Sequence, residues 1–222
     1  HIMLLKVKRL YLLFFVLFFP FLLSGQGENF VWVGGSGNWS DSLHWYSESG
    51  GIPSFIDNVI FNSSSFTDKY QTVTIDIPAE CHNMNWSATS YEPILAGSES
   101  LEIGGSLTFA PVLIIDFTGS ITFTAALPNH FIQSEGRIFK SHLTFDGSGA
   151  WNLMDQLDAG EKNIYFNKGT LNTNGNNINC RSFHSISAES RTIYLGISIV
   201  NVTGLNGIWD VGRSMVTIIL TP

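Results

Sequence analysis

Leu101-Glu102-Ile103-Gly104-Gly105-Ser106-Leu107-Thr108-Phe109 decides the fold class. Two triplets carry apolar residues at i and i+2, and a Gly-Gly-Ser corner separates them. Alternation with period two marks a strand that buries one face, and the corner marks its end. The same unit returns as Ile121-Thr122-Phe123, Leu143-Thr144-Phe145 and Ile164-Tyr165-Phe166. Gly119-Ser120, Gly147-Ser148-Gly149, Lys168-Gly169 and Asn174-Gly175-Asn176-Asn177 punctuate them. Upstream, Val73, Ile75 and Ile77 alternate with Thr72, Thr74 and Asp76, and Asp57-Asn58-Val59-Ile60-Phe61-Asn62 reads as another strand. No helical period appears after residue 30. The chain is all-β.

The units also resemble one another. Gly105-Ser106-Leu107-Thr108-Phe109 recurs as Gly119-Ser120-Ile121-Thr122-Phe123, and Gly149-Ala150-Trp151 has an echo in Gly207-Ile208-Trp209. Short strands with Gly or Asn corners suit a parallel β-helix, a β-solenoid in which each rung buries its inward residues on its neighbours. The same spacing also fits an antiparallel β-sandwich, which stands as the alternative.

Composition narrows the function classes. Charged residues are 13% of the 222, against roughly 25% in ordinary soluble domains. The surface must therefore be built from Ser, Thr, Asn and Gly. Net charge is −7, and Lys6, Lys8 and Arg9 all precede residue 10. Nucleic acid is not an expected partner, because phosphate binding needs a basic face.

Residues 1–27 read as a signal peptide. Lys6, Lys8 and Arg9 form a positive start, Leu10 to Leu23 an apolar run that Pro20 interrupts, and Ser24-Gly25-Gln26-Gly27 a small-residue cleavage region. The expected address is secreted or cell-surface, with the secretion machinery as a partner and the membrane touched only through this segment. Residues 28–55 follow as a Trp/Gly-rich cap, Val31-Trp32-Val33-Gly34-Gly35-Ser36-Gly37-Asn38-Trp39-Ser40-Asp41-Ser42-Leu43-His44-Trp45. Residues 56–222 form the solenoid. Its last run, Val216-Thr217-Ile218-Ile219-Leu220, is strand-like and apolar, which suggests a chain that continues as a longer protein.

The aromatic residues Trp39, Trp45, Tyr46 and Trp86 admit two readings: platforms for sugar rings, or side chains that close the apolar end of the solenoid. Asp155 and Asp158, with Glu161 and Lys162 nearby, make the densest charged patch and the only candidates for an enzyme acting on polysaccharides. A solvated loop explains them as well. Cys81 and Cys180 permit a disulfide, but their strand-like settings favour two separate buried thiols. Cys81, His82, Cys180 and His184 lack compact metal-ligand spacing. His44, His130 and His142 are scattered. No metal or cofactor is expected.

The pattern Trp32-x-Gly34-Gly35-x-Gly37-x-Trp39-x5-Trp45, followed by Gly51-Ile52-Pro53 and Asp57-Asn58-Val59-Ile60-Phe61, resembles the N-terminal region of large adhesin-like surface proteins of Bacteroidetes. Thr144-Phe145-x-Gly147-x-Gly149-x-Trp151 and Gly175-x3-Asn179-Cys180 extend the resemblance over most of residues 31–210. It implies a right-handed parallel β-helix exported through the general secretory route, and the expected role is that of a structural or adhesive segment without catalytic activity. Extracellular glycans or cell-surface proteins would be its partners. A lyase or hydrolase on the same fold, or a carbohydrate-binding module, are the alternatives.

Overall fold

A strand such as Leu101–Ile103 buries Leu101 and Ile103 and leaves Glu102 outside. Such a strand needs partners above and below it that repeat its pattern in register. The computed structural model, which describes residues 27–212 and 215–220, supplies them by winding the chain into a β-solenoid of about seven turns. The expected signal peptide lies outside the described residues except for Gly27.

Three walls enclose the core. The first is a ten-stranded sheet that includes Asn29–Trp32, Asn58–Ile60, Met84–Asn85, Leu107–Thr108, His130–Gln133, Ala150–Leu153, Gly169–Asn172, Arg191–Tyr194 and Val216–Ile219. The second is a seven-stranded sheet from Ala79–Cys81 to Trp209–Asp210. The third is split into a four-stranded sheet, Gly37–Asn38 to Ile114–Phe117, and a three-stranded one, Leu157–Asp158 to Val200–Val202. Successive rungs pair in parallel, which excludes the antiparallel sandwich.

Register puts like on like. Leu101, Ile121, Leu143 and Ile164 align across four rungs of the seven-stranded wall, as do Ile103, Phe123, Phe145 and Phe166. Phe123 and Phe145 stack at 5.0 Å, and Trp151 meets Phe145 edge-on at 5.3 Å. Each such buried aromatic contributes on the order of 2–3 kcal/mol through area removed from water. The match between Gly105–Phe109 and Gly119–Phe123 does not mark successive rungs. Leu107–Thr108 and Ile121–Phe123 lie on different walls, because every wall demands the same alternation.

The third wall changes over at residues 134–140. Glu135 (φ 51) and Gly136 (φ 69) take left-handed backbone there, which cannot continue a ladder. Among the described residues one isolated bridge, Ile138 to Asp158, joins this stretch to the three-stranded sheet. Glycine is required elsewhere by close approach. Gly97, with φ +115 between Ile75 and Phe117, has no room for a Cβ because the Ile75 carbonyl occupies that space.

The Trp/Gly segment forms the first rung and also closes it. Asn29–Trp32 pairs in parallel with Asn58–Ile60, and Gly37–Asn38 with Thr72–Ile75. The chain then turns back through a short 3-10 helix, Ser42–His44, and lays Trp45–Tyr46 antiparallel along the outer edge of Asn29–Trp32. That strand covers the edge of the ten-stranded wall at this end.

Candidate functional site

Three of the four aromatic sugar-platform candidates are corrected by their burial. Trp39 and Trp86 are fully buried, and Trp45 is 5% exposed. The antiparallel return brings Trp45 within 4.8 Å of both Trp32 and Trp39, edge-on to each. Two of the indole N–H groups are satisfied inside the nest, Trp32 Nε1 by the Gly35 carbonyl at 2.7 Å and Trp45 Nε1 by that of Trp39 at 2.9 Å, whereas Trp86 Nε1 is buried without a protein partner. Gly35 (φ +78) turns its carbonyl inward to receive the Trp32 bond. Trp86 lies flat on Phe61, with centroids 3.5 Å apart. His44 covers Trp32 at 4.8 Å with near-parallel planes. Only Tyr46, 70% exposed, keeps a free ring.

The carboxylates proposed for catalysis are tied into the wall. Asp155 Oδ1 accepts the backbone N–H and the hydroxyl of Ser134, each at 2.9 Å, and Oδ2 accepts the Glu135 N–H. Asp158 Oδ1 accepts the Gly160 N–H at 2.8 Å, and Oδ2 accepts Asn179 Nδ2 at 3.0 Å. Asn201 Nδ2 in turn donates to Asn179 Oδ1 at 2.8 Å. This Asp158-Asn179-Asn201 ladder faces an open depression of about 680 Å³ on the three-stranded sheet. The two aspartates therefore belong to separate hydrogen-bond sets, each joining one rung to another.

Asp57 and Asp76 repeat the device. Asp57 takes N–H bonds from Glu28 and Ser54 and the Ser54 hydroxyl at 2.6 Å. Asp76 takes the Ser40 N–H at 3.0 Å and its hydroxyl at 2.6 Å. Burial pushes both carboxyls up, but the hydroxyl and amide donors outweigh it, and both lie below the ordinary value.

Cys81 and Cys180 are separate buried thiols on different walls. Burial raises both, Cys180 to about 11, so neither is a nucleophile at neutral pH. Sequence reading gave no hint of Arg191, which is 1% exposed. Its guanidinium donates to the Ser185 hydroxyl at 2.6 Å and to the carbonyls of Ser185, Ser187 (2.6 Å) and Glu189 (2.8 Å). Burial lowers its pKa, yet an Arg stays charged. It is the internal peg of the 185–190 loop.

A further accessible groove lies on the outer face of the ten-stranded wall. Asn58 Nδ2 donates to Asn29 Oδ1 at 3.0 Å, and Asn83 Nδ2 to Asn58 Oδ1 at 2.7 Å. The Ser106 N–H continues the line to Asn83 Oδ1 at 2.7 Å, and the Phe131 N–H to Ser106 Oγ at 3.1 Å. Beside this ladder runs a second outward row in register: Tyr46, Val31, Ile60, Asn85, Thr108 and Gln133. The first row and Ile60, Asn85 and Thr108 of the second line a groove of about 440 Å³, with Phe131 and His130 on its far side; Tyr46 lies beyond it on the same outer face. His130 meets His82 edge-on at 5.7 Å, and burial and that neighbour hold it below its ordinary pKa. The signal that marks the groove is the triplet Asn29-Phe30-Val31, Asn58-Val59-Ile60, Asn83-Met84-Asn85, in which an Asn precedes each inward apolar residue.

No protein-family model, curated protein or solved structure matches this chain.

Proposed function

We propose that the chain is an exported, non-catalytic segment of a cell-surface protein, a stiff solenoid that displays its outer walls to the surroundings. The observation that carries this reading is the engagement of Asp155 and Asp158. Of the carboxylates best placed in sequence to act as acid and base, Asp155 ties one rung to another through both oxygens, and Asp158 does so through Oδ2 while its Oδ1 caps the Gly160 N–H in its own rung. The continuous buried core from Phe30 to Leu195 supports a rigid, protease-resistant rod. The leader pattern in residues 1–27 supports export, and the resemblance to adhesin-like surface proteins supports the address.

Two measurements test it. An epitope-tagged chain should be reached by antibody and by added protease on intact cells; a tag reached only after lysis rejects the surface address. The purified chain should leave acidic and neutral polysaccharides uncleaved; cleavage that disappears in both Asp155→Asn and Asp158→Asn, with the fold retained, rejects the non-catalytic role.

A further inference from the structure

The groove on the ten-stranded wall is uncharged, a property it shares with a depression of about 490 Å³ further along the same wall at Asn172, Tyr194 and Ile219, but it alone of the two pairs an outward Asn ladder with an exposed Phe ring. None of its lining residues is Asp, Glu, Lys or Arg, in a chain of net charge −7. It therefore offers no counter-charge to an ionised ligand of either sign. Its polar groups are amides and hydroxyls in two rows, and several are not consumed by the fold. Among the described residues no protein acceptor meets Asn29 Nδ2, Asn85 Nδ2 or the Thr108 hydroxyl, although the oxygens of Asn29 and Asn85 are engaged. Ile60 and the 37%-exposed ring of Phe131 supply apolar surface between them. A shallow apolar floor with a few convergent neutral donors is the make-up of a small-ligand site. A pyranose has the complementary surface, with C–H groups on its faces and hydroxyls around its rim.

Geometry sets the ligand's length. Phe131 and Tyr46 lie on the same outer face, five strand steps apart. At ~4.8 Å per step that is about 24 Å, more than one sugar ring can span. The floor between them is formed by strands already paired on both sides, so it has no free edge for an extended peptide to join.

We propose that this groove binds a neutral oligosaccharide of several residues, with Phe131 as the ring platform inside it, Asn85 and Thr108 as hydroxyl partners, and Tyr46, beyond its near end on the same face, as a second platform. The inference deepens the surface-display reading and rests on it for where the ligand is met. Burial and the neighbouring His82 favour the neutral form of His130 at the far side of the groove.

The test is calorimetric titration of the purified chain with neutral α- and β-linked hexose and pentose oligomers, with oligogalacturonate as the acidic comparison. At least one neutral oligomer should bind. Phe131→Ala should weaken it about tenfold and Thr108→Val about threefold, with unchanged melting transitions. Tyr194→Ala, beyond the groove on the same wall, should leave affinity unchanged. No binding by any neutral oligomer, tighter binding of the acidic one, or neutral binding that survives Phe131→Ala and Tyr46→Ala together overturns the proposal. Surface labelling without glycan binding removes this inference alone, and glycan binding without surface labelling removes only the address.

Discussion

Ser134 gives both its backbone N–H and its hydroxyl to one oxygen of Asp155, 21 residues later and on the next rung. Each bond is 2.9 Å long. With the Glu135 N–H on the other oxygen, the carboxylate fixes the corner at which the third wall is interrupted.

That geometry predicts a stability effect rather than a catalytic one. Asp155→Asn turns an amide N–H toward the Glu135 N–H, replacing an acceptor with a donor. The expected cost is about 1–3 kcal/mol, read as a lower denaturant midpoint with an unchanged slope. An Asn variant as stable as the parent would show that the corner does not depend on the carboxylate.

Acid should loosen the fold in two stages. His130 and His142 lie below their ordinary values: burial and the neighbouring His82 act on the first, burial and the charges of Lys162 and Arg181 on the second. The unfolded chain then binds more protons than the folded one, so stability falls as pH drops below roughly 6.5. Asp57 and Asp76, also lowered, add stability at every pH above the unfolded carboxyl value of about 3.9. That contribution is lost as pH falls through their folded values. Melting temperature should decline gently below pH 6.5 and steeply below about 4. Ser40→Ala, which removes the hydroxyl donor of Asp76, should soften the second decline; an identical profile would argue against that bond.

The buried tryptophans are not equivalent. Trp32 Nε1 has the Gly35 carbonyl, whereas Trp151 Nε1 is buried with no partner in the protein. Replacement by Phe removes a made hydrogen bond at position 32 and an unmade one at position 151. Trp32→Phe should be the more destabilising by about 1 kcal/mol, measured by urea unfolding of the two variants side by side. The reverse order would place a bound water on Trp151.

Arg191→Lys should not substitute for arginine. An ammonium is a point donor and cannot span the oxygens of Ser185, Ser187 and Glu189 that the planar fork reaches together. A loss of about 3 kcal/mol is expected, with amide exchange accelerated in residues 185–190 first. Uniform acceleration along the chain would mean that the loop is not the part Arg191 holds.

Period two is a local property, so the strands around Leu101, Ile121, Leu143 and Ile164 were legible in the sequence. Which wall each strand joins was not, because all three walls ask for the same apolar-polar-apolar triplet and only chain length between corners distinguishes them. Partners are 20 residues apart at Asn152 and Asn172 but 25 at Tyr194 and Ile219, so no fixed repeat could be counted. Burial of Trp39 and Trp45 depends on the antiparallel return of Trp45–Tyr46, a tertiary event that aromatic content alone does not encode. The structural role of Asp155 is hidden for the same reason, since Ser134 is distant in sequence. The groove escaped notice because Asn29, Asn58 and Asn83 become one ladder only after the rungs are stacked.

The changeover at 134–140 bears on how the rod yields under tension. Before it, the third wall is one hydrogen-bonded ribbon from Gly37 to Phe117; after it, another from Leu157 to Val202. Across the gap the ten- and seven-stranded walls carry the strain, with no strand pairing beside them among the described residues but the isolated Ile138–Asp158 bridge, the Asp155 bonds to Ser134 and Glu135 and the Lys140–Asp116 pair. Pulled along its axis, the molecule should extend in two force steps, each releasing one block of rungs, with the seam between them at Gly136.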